Sequence, residues 1–177
     1  MLDQEFIHNW ATVFLIIYVI YDLIRNRKIG RTLLGKFVFY SFLYYLINVI
    51  KLTLFPIPLD FLKIPVSVQL IPFYFIIDWV NSGYIGRAYI ENFILLLPLG
   101  LYLPLLFARY KNIKLTVLVA FWVTFSIEFM QLILGFTIGL HRMFNIDDII
   151  LNTMGAIVGY AIYKLISVFI KINNNIK

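Results

Sequence analysis

Long apolar runs separated by basic turns constrain this chain more than any other feature. Five stretches, Trp10 to Ile24, Leu33 to Leu54, Tyr89 to Phe107, Leu115 to Phe136 and Ile149 to Ile170, carry few charges. Most approach the roughly 20 residues that a helix needs to cross a bilayer core. Inside lipid every backbone amide and carbonyl must bond within the protein, which leaves helices or a closed barrel. The runs lack the alternation of barrel strands, so an all-α, polytopic transmembrane helical bundle of about five spans is expected. Composition agrees, with 62% hydrophobic and 14% charged residues among 177 and a mean hydropathy of +0.90. No repeat or soluble-type linker divides the chain, so 1–177 is expected to form a single membrane-embedded domain.

Between the second and third runs lies "FPIPLDFLKIPVSVQLIPFYFIIDWV", Phe55 to Val80, apolar but broken by Pro56, Pro58, Pro65 and Pro72. Each proline removes a backbone donor and disfavours helix in the residue before it. An interfacial or re-entrant segment with one short helix is therefore expected here, a sixth crossing being the alternative.

The formal charge of +6 does not indicate nucleic acid, because the basic residues flank apolar runs instead of forming a face with interleaved base-reading side chains. Arg25, Arg27, Lys28, Arg31 and Lys36 surround the first turn, Arg109, Lys111 and Lys114 the third, and Lys164, Lys171 and Lys177 the carboxyl end. With five spans these regions share one side, which the positive-inside rule makes cytoplasmic. The expected location is a bacterial plasma membrane, with the amino terminus outside and the carboxyl terminus cytoplasmic. Most acids then fall toward the outer half: Asp3, Glu5, Asp60, Asp78, Glu91, Glu128, Asp147 and Asp148, with Asp22 as the exception. No small-residue cleavage site follows the first run, so it is expected to stay as a span. Without cysteine there are no disulfides, thiolate metal sites or cysteine nucleophiles.

In the fourth span Thr124, Glu128, Gln131 and Gly135 recur at steps of four, three and four, which places them on one helix face. Glu128 lies about 21 Å along a helix from Lys114, which puts it in the outer half of the bilayer, where a carboxylate is expected to be paired, protonated or functional. In the fifth span Asp148, Asn152, Gly155 and Gly159 repeat that spacing. The glycines allow close approach of another helix, and the polar face of the fourth span is the expected neighbour. Arg142, in the intervening loop, is within reach of Glu128 or Asp147. The third span opens with Glu91 and Asn92, and Pro98, followed by Gly100, should kink it by freeing the Ile94 carbonyl.

These residues suggest an outward-facing polar cluster of Glu91, Asn92, Glu128, Gln131, Arg142, Asp147, Asp148 and Asn152. Structural roles compete with that reading. Asp147 and Asp148 sit where acids cap a helix amino end, Glu128 and Arg142 suit a buried ion pair, and Asn152 suits an interhelical bond. His141 is more in keeping with a solvent-facing loop residue than with a base. Glu128, Asp147 and Asp148 are also candidate oxygen ligands for Mg²⁺ or Ca²⁺; no other cofactor is expected.

The order "ENFILLLPLG…LP", "SIEFMQ", "R…DDIILNTMGAIVGY" resembles the VanZ family of bacterial membrane proteins. The resemblance spans about Gln69 to Tyr160, where "QLIPF" matches a family motif that more often begins with Asn. It implies a multi-pass protein giving low-level resistance to teicoplanin in Gram-positive cells. Three functions remain open. The first is binding of a lipid-linked cell-wall precursor or of the lipoglycopeptide itself. The second is an intramembrane enzyme acting on a lipid or envelope glycan through paired carboxylates, although no Ser-His-Asp, zinc or phosphate-loop motif is present. The third is a lipid or drug transporter, which without inverted repeats would call for a homodimer. The bilayer is the expected partner in every case.

Overall fold

The structure, a computed structural model, describes residues 4–25, 32–55, 66–140 and 142–175. Asp3, Arg27, Lys28, Arg31, Pro56, Pro58, Asp60, Pro65, His141 and Lys177 lie outside the described residues. Among the described residues the fold is all-α apart from one short strand pair. Four helical spans are long and apolar enough to cross a membrane: Leu33–Leu54, Arg87–Leu106, Ile113–Ile138 and Ile146–Phe169. The first helix, α1 (Gln4–Arg25), is apolar only over His8–Ile24, at the lower limit of about 17 residues for a crossing. Bulky side chains remain exposed on these helices, among them Phe14, Ile17, Phe37, Trp122, Phe129 and Phe169, as lipid-facing surfaces require.

The chain divides into two compact units, Met1–Val66 with Gln131–Arg142, and Ser67–Met130 with Met143–Lys177. In the first, α1 pairs with α2 (Leu33–Leu54), which starts behind Thr32, whose hydroxyl accepts the Gly35 amide at 3.1 Å. Ion pairs at both ends make the hairpin antiparallel: Lys51 with Glu5 at 2.9 Å and Lys36 with Asp22 at 3.1 Å. The Tyr40 hydroxyl donates to the same Asp22 carboxylate, an acid at the unfavourable carboxyl end of its own helix. The last turn of α2 leaves carbonyls without intrahelical donors. Gln131 Nε2 donates to Thr53 O at 2.7 Å and Arg142 Nη2 to Leu52 O at 3.1 Å.

In the second unit, α3 (Tyr74–Ser82) is a nine-residue helix. At about 13 Å it reaches less than half of a ~30 Å core, in keeping with an interfacial or re-entrant segment. The next span is broken into α4 (Arg87–Leu95) and α5 (Leu97–Leu106) at Leu96. Pro98 cannot donate to the Ile94 carbonyl, which accepts the Leu96 amide instead. A 3₁₀ turn, Ala108–Lys111, leads into α6 (Ile113–Ile138), part of which belongs to each unit. The buried stripe of α6 is Thr116, Ala120, Thr124, Glu128, Gln131 and Gly135. The last helix, α7 (Ile146–Asn175), contains the most buried of the four candidate spans.

Glycine determines how α7 packs, and here one expectation is corrected. A Cβ on Gly155 would fall onto the Phe93 carbonyl, one on Gly159 onto the Leu97 carbonyl, and one on Gly100 onto Ala156 O. The close neighbour of the Gly155–Gly159 face is therefore α4–α5, not α6. Three glycines supply backbone-to-backbone approach, which in lipid replaces the hydrophobic drive between helices. The register Phe93 to Gly155 and Leu97 to Gly159 runs α4–α5 parallel to α7, as two spans crossing in the same direction must.

Candidate functional site

The amino ends of α3 and α7 carry the site, because each begins at a point where backbone donors are free and positive. Two residues before α7 the chain forms a short parallel bridge, with β1 (Val68–Gln69) opposite β2 (Phe144–Asn145) in the register Val68 to Phe144 and Gln69 to Asn145. The Phe144 amide donates to Ser67 O at 3.1 Å. This bridge ties the stretch preceding α3 to the stretch preceding α7.

At the start of α7 the capping side chain is Asn145, whose Oδ1 accepts the Asp147 amide at 2.9 Å. Its Nδ2 donates to Asp148 Oδ1 at 3.0 Å, so "NIDD" acts as a cap with an acid three residues on. In a capping box the third-residue acid would also accept the cap residue's own amide. Here that amide, Asn145 N, donates to Glu128 Oε2 of α6 at 3.1 Å. Glu128 is only 3% exposed, and this bond ties the middle of α6 to the amino end of α7.

Asp147 does not cap its own helix, as the sequence suggested, but that of α3. Its carboxylate accepts the Phe73 amide at 2.7 Å and the Phe75 amide at 2.8 Å, with Gln69 Nε2 at 3.4 Å. The α3 cap residue, Phe73, has a φ of 61° and no side-chain cap. Left-handed backbone at a bulky residue costs about 1–3 kcal/mol, and the two amide bonds to a wholly buried carboxylate (0% exposed) offset it. Gln69 also donates to Ile71 O at 3.0 Å and accepts from the Ile71 amide, a turn-forming role open to Asn as well.

One turn deeper, Asn152, 1% exposed, donates through Nδ2 to Thr124 Oγ1 at 3.0 Å. Among the described residues, the buried side-chain atoms without a hydrogen-bond partner are Asn152 Oδ1 and His8 Nε2. The structure thus brings Glu128, Asp147, Asp148 and Asn152 together and adds Thr124 and Asn145. Gln131 and Arg142 belong to the first unit, on the α2 carbonyls. Glu91 is exposed and paired with Arg87 at 2.5 Å, while Asn92 is half-buried on α4, next to Phe93, whose carbonyl faces Gly155.

Metal ligation fits this geometry poorly. Among the described residues no three carboxylate or imidazole side chains converge on one point, and Asp147 is already enclosed by neutral donors. Buried carboxylates anchored by backbone amides, beside one unpartnered amide oxygen, form a polar cluster within apolar spans. The missed residue, Asn145, had a legible signal in its spacing to Asp148; the amides of Phe73 and Phe75 had none.

Fold and site together define a polytopic helical membrane protein with a buried carboxylate–amide cluster at the junction of two helix starts. Residues 42–167 match the family model VanZ/LLP1. The chain belongs to the VanZ/LLP1 family. No match was found among curated proteins or solved structures.

Proposed function

We propose that this protein lowers susceptibility to teicoplanin-type lipoglycopeptides by binding a lipid-linked or lipidated envelope molecule at the Glu128–Asp148–Asn152 cluster. The cluster faces outward, with the amino terminus outside and the carboxyl terminus cytoplasmic; the distribution of Lys and Arg supports that orientation. The observation that carries the reading is Asn152 Oδ1, an acceptor buried to 1% exposure that bonds no protein donor. Such an atom is costly to leave unmade, and a ligand hydroxyl or ammonium supplies what it lacks. Family membership supports the resistance phenotype, and teicoplanin's acyl chain suits a site reached from lipid. Binding is favoured over catalysis because Asp147 is enclosed by amide donors and Glu128 holds the α7 start, which leaves neither poised for proton transfer.

Susceptibility of a sensitive Gram-positive host expressing wild type, Glu128→Gln, Asp148→Asn or Asn152→Leu tests this at matched membrane levels. The expected result is loss of teicoplanin protection with vancomycin susceptibility unchanged. Protection equal to wild type in all three variants overturns the assignment.

A further inference from the structure

Also in the second unit, the first turns of α6 and Thr153, near the start of α7, line an open groove of about 470 Å³, with Ile113, Lys114, Val117, Leu118 and Phe121 on the α6 side. Its size lies within the ~300–1,000 Å³ typical of ligand sites. The groove walls are apolar throughout, because Thr153 directs its hydroxyl to Ile149 O at 2.7 Å. Lys114 contributes its aliphatic stem to the wall and is itself exposed, so the one charged residue of the lining carries its ammonium at the groove's open rim.

That ammonium is unlike several other cations of the chain. Lys36, Lys51 and Arg87 are each neutralised by an acid, whereas among the described residues Lys114 has no ion pair. No acid stands between Glu91 and Glu128 or after Asp148 in the sequence. Arg109 and Lys111, both exposed, precede Lys114 on the 3₁₀ turn. An occupant must then be apolar along some 12 Å from Phe121 to Ile113 and anionic where it meets Lys114.

We propose that this groove is a site for one anionic phospholipid, its acyl chain along Val117, Leu118 and Phe121 and its phosphate at Lys114. A basic side chain at a membrane surface favours anionic over zwitterionic lipid by about fivefold, and the groove holds that lipid in place.

The test uses the full chain purified in detergent and exposed to an equimolar mixture of phosphatidylglycerol and phosphatidylcholine, with bound lipid read by native mass spectrometry. Wild type is expected to retain one phosphatidylglycerol in preference. Lys114→Gln should lose about fivefold of that preference, and Val117→Phe, which fills the groove, should lose retention of both lipids. Glycerophosphate, which lacks acyl chains, should not compete. Melting temperatures in phosphatidylcholine alone confirm that both variants fold. Equal retention of the two lipids by wild type overturns the site, as does selectivity that survives Lys114→Gln or displacement by glycerophosphate.

Discussion

Replacing Asp147 by Asn removes a charge from a site with two short amide bonds and keeps the side chain's shape. Amides at 2.7 and 2.8 Å from a buried carboxylate are charge-assisted bonds, each contributing about 1.5–3 kcal/mol. An Asn keeps one acceptor oxygen, so one amide loses its partner and the other bond falls to neutral strength. The sum is a local loss of about 2–4 kcal/mol, concentrated at the start of α3, where Phe73 already holds left-handed backbone. At about 1.4 kcal/mol per factor of ten, opening of that turn becomes roughly 30- to 1,000-fold more frequent. Hydrogen–deuterium exchange of the peptide covering Phe73 to Ile77, in detergent or nanodiscs, reads this directly. Exchange in Asp147→Asn within about threefold of wild type would refute the view that this carboxylate holds α3.

Further expectations concern packing and the cluster. Gly155→Ala and Gly159→Ala each drive a Cβ onto a carbonyl of α4–α5, so each should destabilise by about 1–3 kcal/mol, seen as a lower melting temperature; an unchanged value would contradict the parallel close packing. Gln131→Ala leaves the Thr53 carbonyl without its donor and should lower stability by about 1 kcal/mol without altering teicoplanin protection. Asn152→Leu removes one bond to Thr124 together with an unpartnered oxygen. Its stability should therefore stay within about 1 kcal/mol of wild type while protection is lost, and unfolding of this variant would make Asn152 a structural residue.

The sequence resolves these features unevenly, for physical reasons. Spans were legible because lipid imposes length and apolarity on every crossing helix, and the Thr124–Glu128–Gln131–Gly135 stripe was legible because a helix repeats every 3.6 residues. Partners were less so. Gly155 and Gly159 announce a close approach without saying which helix comes near, and their partners, the carbonyls of Phe93 and Leu97, carry no side-chain signature. The spacing puts Gln131 on the buried face of α6, yet its acceptor is a helix-end carbonyl, which has no residue identity. The same holds for Asp147, whose donors are amides that any side chain at positions 73 and 75 would present. Asn145 has a signal in its spacing to Asp148, but the two adjacent acids at the same helix start carry a capping signal of equal strength.

The bond from Asp147 to Phe73 joins residues 74 positions apart, and synthesis makes the donor first. At about 5–20 residues per second, the ribosome delivers Asp147 some 4–15 s after Phe73. During that interval the α3 segment exists without its anchor, and neither the Asn145 strand partner nor the α7 start has been made. Assembly of this protein therefore has an order imposed by covalent sequence: the cap of α3 cannot close until the first turn of α7 has been made.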